Sequence, residues 1–204
     1  MHYISHLSKD RTLKKLVDRY EPFILKKNKN ICLRLCASIM SQQLSTKVAD
    51  VIFKRFLNLF GAKQPTPEQI LAVPAPVLRS IGLSNAKVSY VHNVARFAVE
   101  NGMDHKKFSG MSDEEVITYL TSIKGVGRWT AEMLLMFTLG REDISPLDDF
   151  GAAQALIKLY GLKTSDKKKL RQYMNKIASA WSPYRTYAYL YLWKSRDDSE
   201  KEKK

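Results

Sequence analysis

Apolar residues recur at intervals of three and four along nearly every segment of this 204-residue chain. That spacing is typical of amphipathic helices, and the strict alternation that marks a half-buried strand is absent from the sequence. We therefore predict an all-α protein. Its helices are expected at about residues 8–24, 30–43, 45–60, 67–73, 76–81, 85–100, 113–122, 129–139, 149–160, 166–180 and 184–195.

The predicted helices should form one unit, because no long linker and no internal repeat interrupts the sequence. Within residues 1–204 we expect two helical lobes with an active-site cleft between them. Lobe 1 would comprise residues 30–141, and lobe 2 would combine residues 1–29 with residues 142–204. The tail 197–204 is of mixed charge sign, and we expect it to fray.

Several predicted helix ends carry local signals. Thr66 with Gln69 and Ser112 with Glu115 have the spacing of a capping box, in which each side chain bonds the other's backbone N–H. Glycines stand where a left-handed residue would end the preceding helix, at positions Gly61, Gly102 and Gly161.

The formal net charge of +14, from 34 basic and 20 acidic residues, makes nucleic acid the first partner to consider. An acidic membrane surface is the second, and any single lysine could equally belong to a solvated face. No run of 18 apolar residues occurs, so no membrane-spanning helix is predicted. We expect a cytoplasmic or nucleoid-associated monomer, or a nuclear one in a eukaryote.

Cysteine and histidine are too few and too scattered for a metal centre. Cys32 and Cys36 lie four apart on one predicted helix face, where free thiols usually serve as small core residues. Two thiols cannot hold an iron–sulfur cluster, which needs four ligands. No side-chain metal site is expected.

The stretch Lys124-Gly125-Val126-Gly127-Arg128 leaves room only for a sharp reversal between two helices. Glycine tolerates positive φ and the close approach of another backbone, and Val126 can fill the space between the helices. Backbone N–H groups at the reversal can then face an anion, with Lys124 and Arg128 as added phosphate contacts. The alternative is a plain helix-turn-helix connection without a ligand.

The segment from Ile123 to Ala131, IKGVGRWTA, resembles the helix-hairpin-helix of the DNA glycosylase superfamily named for that hairpin and its Gly-Pro-Asp loop. Further similarity lies in IMSQQLS at 39–45, PLDD at 146–149, WSPYR at 181–185 and YLW at 191–193. The resemblance therefore spans about residues 30–195, and it is strongest to the AlkA-like branch, the 3-methyladenine DNA glycosylases II.

That resemblance implies a role for each matching residue. Asp149 is the expected catalytic carboxylate, which would stabilise the sugar cation and orient or deprotonate water. Asp148 suits the N-cap of the next helix, or a secondary carboxylate. Bifunctional relatives carry a lysine where this chain has Trp129, so we expect hydrolysis without lyase activity.

Trp129 and Trp193 are expected to hold the extruded base, since an indole attracts a cationic ring. For both, the alternative is an ordinary core position. Met133 stands where relatives tend to carry an aromatic residue. Gln43 is the expected wedge that fills the vacated stack, with Leu44 beside it, although Gln-Gln could also be a simple helix end.

Together these implications predict a monofunctional DNA glycosylase that removes alkylated bases, 3-methyladenine above all, from duplex DNA in base excision repair. No redox or organic cofactor is expected, and a monovalent cation could be held by hairpin carbonyls, as in the family. A glycosylase of the same fold for another damaged purine, and a non-catalytic DNA-binding module, are the alternatives.

Overall fold

The computed structural model describes residues 1–164 and 166–201, and every regular element within them is helical. In chain order the helices are α1 (His2–Leu7), α2 (Arg11–Arg19), α3 (Ile31–Ser41), α4 (Thr46–Asn58), α5 (Pro67–Leu71), α6 (Ala75–Ser80), α7 (Asn85–Asn101), α8 (His105–Ser109), α9 (Asp113–Thr121), α10 (Arg128–Leu134), a π-helical segment (Leu135–Leu139), α11 (Phe150–Tyr160), α12 (Lys167–Ser179) and α13 (Arg185–Lys201). The predicted all-α class is confirmed.

The chain folds into two compact units. One, which we call the hairpin unit, comprises Lys26–Leu139, and the other, the terminal unit, combines Met1–Leu25 with the chain from Gly140 onward. None of the helices in the described ranges is long and apolar enough to cross a membrane.

Helix α3 forms the centre of the hairpin unit, where it packs against α4, α7 and α10. Its side chains are apolar over most of its circumference, and Leu35, Cys36 and Ile39 are completely buried. A helix that is apolar on nearly all sides must lie inside a bundle. The prediction that Cys32 and Cys36 are small core residues is confirmed, since both are free thiols and both are buried.

Aromatic side chains fill the terminal unit. Trp181, Tyr189 and Tyr191 are completely buried, and α13 packs against α11. Asp10 joins distant parts of the unit, because its carboxylate accepts hydrogen bonds from the Tyr160 hydroxyl at 2.5 Å and from the Trp181 indole at 3.0 Å. The same carboxylate caps the N-terminus of α2.

Both predicted capping boxes are present, Thr66 with Gln69 and Ser112 with Glu115. The three helix-ending glycines have positive φ, at +62° for Gly61, +77° for Gly102 and +63° for Gly161.

The predicted helix over residues 8–24 is wrong in its bounds. Asp10 breaks it, since its side chain accepts from the backbone of Thr12 and Leu13 and starts α2 anew, and Tyr20 is already extended. The short helices α1 and α8 were not predicted, because six and five residues show little periodicity and neither helix begins with the capping box or proline that marks α5 and α6. The end of the predicted helix 129–139 is π-helical rather than α-helical.

The fraying expected of the tail 197–204 stays a prediction. Helix α13 continues to Lys201. Lys194 and Asp198, which lie one turn apart on this helix, form an ion pair of 3.0 Å. Lys158 on α11 also donates to the Ser199 hydroxyl at 3.2 Å. These contacts tie the segment to its neighbour, and residues 202–204 lie outside the described part of the chain.

Candidate active site

The hairpin lies between α9 and α10 and is closed by local contacts. The Val126 N–H donates to the Ile123 carbonyl at 3.0 Å, and Gly127 is the N-cap of α10. Ile123 and Val126 are only 3% and 5% exposed, so the predicted packing of Val126 between the helices is confirmed. The buried side chains of Ile123 and Val126 therefore fix the reversal, and the backbone at Gly127 faces solvent.

The two hairpin glycines are required for different reasons. Gly125 has φ +106°, and a Cβ on it would lie 2.2 Å from Cγ of Tyr90, far inside van der Waals contact. Gly127 has φ −91°, a value open to any residue, and a Cβ on it would meet no protein atom within 4 Å. The fold therefore explains Gly125 alone, and the bare backbone at Gly127 is open to a ligand.

The two flanking cations are placed differently. Lys124 is exposed at the hairpin. Arg128 forms a two-pronged ion pair with Glu114 at 2.5 and 3.0 Å and a further pair with Glu132 at 3.0 Å. The hydrogen bonds that Arg128 donates to the Glu114 carboxylate raise the pKa of Arg128. Two carboxylates of the hairpin unit thus already balance the charge of Arg128, and its role as a phosphate contact stays a prediction.

The predicted wedge lies at a turn between α3 and α4. Gln42 ends α3, Gln43 has a left-handed φ of +58°, and Ser45 caps α4. Gln43 and Leu44 are both exposed, as a wedge would have to be. The Gln42 amide instead turns toward the hairpin, where it makes long contacts of 3.4 Å to the Gly125 carbonyl and 3.5 Å to the Thr130 hydroxyl.

Trp129 lies on the surface of α10 with 41% of its area exposed. The alternative of an ordinary core tryptophan is therefore excluded for this residue. Met133 follows one turn later and Phe137, 45% exposed, one turn after that. Met133 and Phe137 line a cavity of about 290 Å³ within the hairpin unit, together with Phe53 and Asp50 of α4. This face of α10 thus presents flat and polarizable side chains outward.

Asp149 is the N-cap of α11, and this corrects the assignment of the cap to Asp148. Its Oδ1 accepts a hydrogen bond from the Ala152 N–H at 2.7 Å and another from the Trp193 indole N–H, also at 2.7 Å. Asp148 is exposed and forms an ion pair with Arg171 of α12 instead. The reason is positional, since the residue directly before the first helical turn is the one whose side chain reaches the third N–H.

The same contacts settle the environment of Trp193. This residue is partly buried on α13, and its indole N–H is used to hold the Asp149 carboxylate. Gly151 admits the Arg196 guanidinium beside them, because a Cβ on Gly151 would lie 2.4 Å from Arg196 Nη1 and 3.3 Å from Asp149 Oδ1. The carboxylate is thus held in one orientation by a helix N-terminus and an indole, next to a cation.

Arg185, whose chain position lies in the similar segment WSPYR, has a structural environment. It forms an ion pair of 2.7 Å with Asp143, and the Ser182 hydroxyl donates to the same carboxylate. No group of three or more His, Cys, Asp or Glu side chains within residues 1–164 and 166–201 could hold a metal ion.

Helices α9 and α10 are joined by a glycine hairpin whose backbone faces outward, which makes this a helix-hairpin-helix protein. It also has a carboxylate fixed at a helix N-terminus. The family model described as HhH-GPD superfamily base excision DNA repair protein matches residues 36–180. The chain therefore belongs to the HhH-GPD superfamily.

Individual relatives are similar over most of the chain. DNA-3-methyladenine glycosylase 1 of Schizosaccharomyces pombe is 36% identical over 187 residues, which are 91% of this chain and 81% of that protein. The crystal structure of a DNA-3-methyladenine glycosidase from Bacillus halodurans is 36% identical with a TM-score of 0.81, over 97% of this chain and 89% of that one. An S. pombe 3-methyladenine DNA glycosylase in complex with abasic DNA is 33% identical with a TM-score of 0.84, over 97% of each chain.

Proposed function

We propose that this protein is a monofunctional DNA glycosylase that hydrolyses the N-glycosidic bond of alkylated bases, of the 3-methyladenine type, in duplex DNA during base excision repair. The observation that carries the proposal is the Asp149 carboxylate, fixed through one oxygen by the Ala152 N–H and the Trp193 indole. Membership of the HhH-GPD superfamily and the names of the relatives support the same activity and substrate class.

Asp149 would act on the sugar. When the N-glycosidic bond breaks, its electron pair leaves with the base, and positive charge develops at the anomeric carbon. A carboxylate held in a fixed orientation stabilises that charge without having to reorganise. Water then attacks the anomeric carbon and loses its proton to the carboxylate or to solvent, which leaves an abasic site. A methylated purine is already cationic, so its departure needs little help from an acid.

Trp129 would face the base. Its exposed indole offers a flat, electron-rich surface to a cationic ring, and such a contact contributes about 0.5–2 kcal/mol. Met133, one turn further along, is adaptable and polarizable, which suits a pocket that accepts more than one alkylated ring.

The same tryptophan argues against strand cleavage. Lyase activity in this superfamily depends on a lysine at the position of Trp129, which attacks the sugar to form a Schiff base. The hairpin's own lysine, Lys124, stands before both glycines and has a phosphate role in our proposal. The expected product is therefore an intact strand with an abasic site.

The hairpin would hold the phosphate backbone through the N–H groups around Gly127, where no protein atom stands within 4 Å of a Cβ position. We retain a monovalent cation at the hairpin as part of the proposal. Three hairpin carbonyls already accept one hydrogen bond each: Ile123 from Val126, Lys124 from Asn93, and Gly125 from Gln42. Each of these oxygens would therefore offer a cation only its second lone pair.

A panel of duplexes tests the proposal directly. Each would carry one lesion, either 3-methyladenine, 7-methylguanine, hypoxanthine or 8-oxoguanine, and would be incubated with wild type and with Asp149→Asn. We expect release of the methylated bases by the wild type and release about 10²–10³-fold slower by the variant. Release of only the deaminated or oxidised purine would indicate that the substrate is that damaged purine and not an alkylated base. Release of no base at all would indicate a non-catalytic DNA-binding module.

A further inference from the structure

Three side chains of α7 lie against the turn that precedes α4 and against the hairpin. They are Lys87, Tyr90 and Asn93, which follow one another at intervals of three residues and so form one inclined row on the helix. No expectation from the sequence singled out any of them. All the contacts that follow lie within the hairpin unit.

Lys87 holds the wedge turn, which we define as residues 40–44. Its ammonium donates to the Met40 carbonyl at 2.9 Å and to the Gln42 carbonyl at 2.8 Å. These carbonyls stand at the end of α3, where the last C=O groups lack helical partners and the helix dipole favours a cation. Gln43, the next residue, has a left-handed φ of +58°.

Tyr90 and Asn93 hold the hairpin. The Tyr90 ring occupies the space where a Cβ on Gly125 would stand, and the Asn93 amide donates to the Lys124 carbonyl at 3.1 Å. Gln42 adds a direct, longer contact from the wedge turn to the Gly125 carbonyl at 3.4 Å. The wedge turn and the hairpin are therefore fastened to one rigid helix as well as to each other.

We propose that the α7 row is a brace that fixes the wedge turn relative to the hairpin, so that gripping the phosphate backbone and extruding the base occur as one rigid movement. Lys87 is the main positioning residue, since it is the member of the row that bonds two carbonyls of the wedge turn. This inference rests on the proposed function and deepens it. Burial lowers the pKa of Lys87, because partial removal from water disfavours the charged ammonium.

A brace of this kind matters only where a base must be forced out of a pair. A lesion opposite a normal base has to be unpaired and unstacked, whereas a lesion opposite an abasic-site analogue lacks a pairing partner and needs less force. Loss of the brace should therefore slow excision from the paired duplex and spare excision from the unpaired one. A role in stability alone would affect both substrates equally.

The test compares Lys87→Met with Lys87→Arg, since arginine can still donate to two carbonyls. The rate is that of single-turnover excision of 3-methyladenine. We expect Lys87→Met to be at least about tenfold slower than wild type on the paired duplex and less than about twofold slower on the unpaired one. Lys87→Arg should be close to wild type on both. Lys107→Met is the matched control, because Lys107 also donates to a helix-end carbonyl, that of Asn101 at 2.6 Å, away from the wedge turn.

Equal slowing on the two duplexes, or no slowing on the paired one, would overturn the brace. If Lys87→Met does not fold, Asn93→Ala gives the second test, with the same selective loss expected from the hairpin side of the row. Extrusion is followed separately in an Asp149→Asn background by the fluorescence of 2-aminopurine placed next to the lesion. That signal decides the brace even if the chain releases no base, which would refute only the proposed function.

Discussion

The two hairpin glycines offer a prediction that separates folding from binding. Alanine at Gly125 would have to adopt φ +106°, which costs about 1–3 kcal/mol for an L-residue. Its Cβ would also lie 2.2 Å from the Tyr90 ring, and relieving such an overlap in a packed site typically costs about 1–3 kcal/mol more. We expect Gly125→Ala to lower the free energy of unfolding by about 2–6 kcal/mol.

Alanine at Gly127 should leave the fold nearly unchanged. Its φ of −91° suits any residue and its Cβ meets no other side chain, so a gain of about 0.4–1 kcal/mol from the reduced freedom of the unfolded chain should be offset by the poorer N-cap that alanine gives α10. The methyl group would, however, stand where we place the phosphate backbone. A tenfold weaker complex corresponds to about 1.4 kcal/mol, and we expect at least that loss.

Urea unfolding followed by circular dichroism measures the first quantity, and fluorescence anisotropy with a labelled duplex measures the second. Tyr90→Ala is the partner variant for Gly125→Ala, because it removes the overlapping ring and should leave the backbone strain together with a smaller overlap with the Cβ of residue 90, which lies 2.7 Å from the new methyl group. The reasoning is refuted if Gly125→Ala is as stable as wild type. It is equally refuted if Gly127→Ala binds DNA with wild-type affinity.

Three further predictions follow from the contacts. Asp10→Ala should cost about 2–4 kcal/mol of stability in thermal or urea unfolding, because it removes the α2 cap and leaves Tyr160 and the buried Trp181 without their shared acceptor. Burial raises the pKa of Asp10, but the hydrogen bonds to its carboxylate outweigh that effect, and the pKa is lowered. This contribution to stability should therefore be present above about pH 4–5 and lost as the pH falls through the folded-state pKa. Acid unfolding that is identical in Asp10→Asn and wild type would contradict it. Lys124→Ala should reduce the slope of log affinity against log salt by about 0.9, whereas Arg128→Ala should leave the slope nearly unchanged because its charge is already paired; the reverse order would support Arg128 as the phosphate contact. Borohydride should trap no covalent enzyme–DNA adduct, and a trapped adduct would show a lysine nucleophile in place of water.

Features of the structure that depend on local chemistry were predicted well from the sequence. The all-α class follows from the apolar spacing, both capping boxes have fixed offsets, and Val126 is buried in a reversal too short for any other course. Each depends on residues a few positions apart, so the sequence alone contains the whole interaction.

Features that depend on distant partners were not predicted. Arg128 looks like a phosphate contact in sequence because Glu114, which pairs with it, lies 14 residues away on another helix. The N-cap of α11 was assigned to Asp148 instead of Asp149, because that choice requires the start of α11 to one residue. Lys87 gives no sequence signal at all, since its two acceptors are backbone carbonyls of another helix.

The central claim is that the charge of Asp149 carries the reaction, and single-turnover release of 3-methyladenine tests it most directly. Asparagine can still cap α11 and accept from Trp193, so Asp149→Asn removes the charge and keeps the fold. Asp166→Asn, the same change at the N-cap of α12, is the matched control. We predict that Asp149→Asn lowers the release rate about 10²–10³-fold with DNA affinity within about threefold, and that Asp166→Asn releases base at the wild-type rate. Release by Asp149→Asn at the wild-type rate would contradict the account.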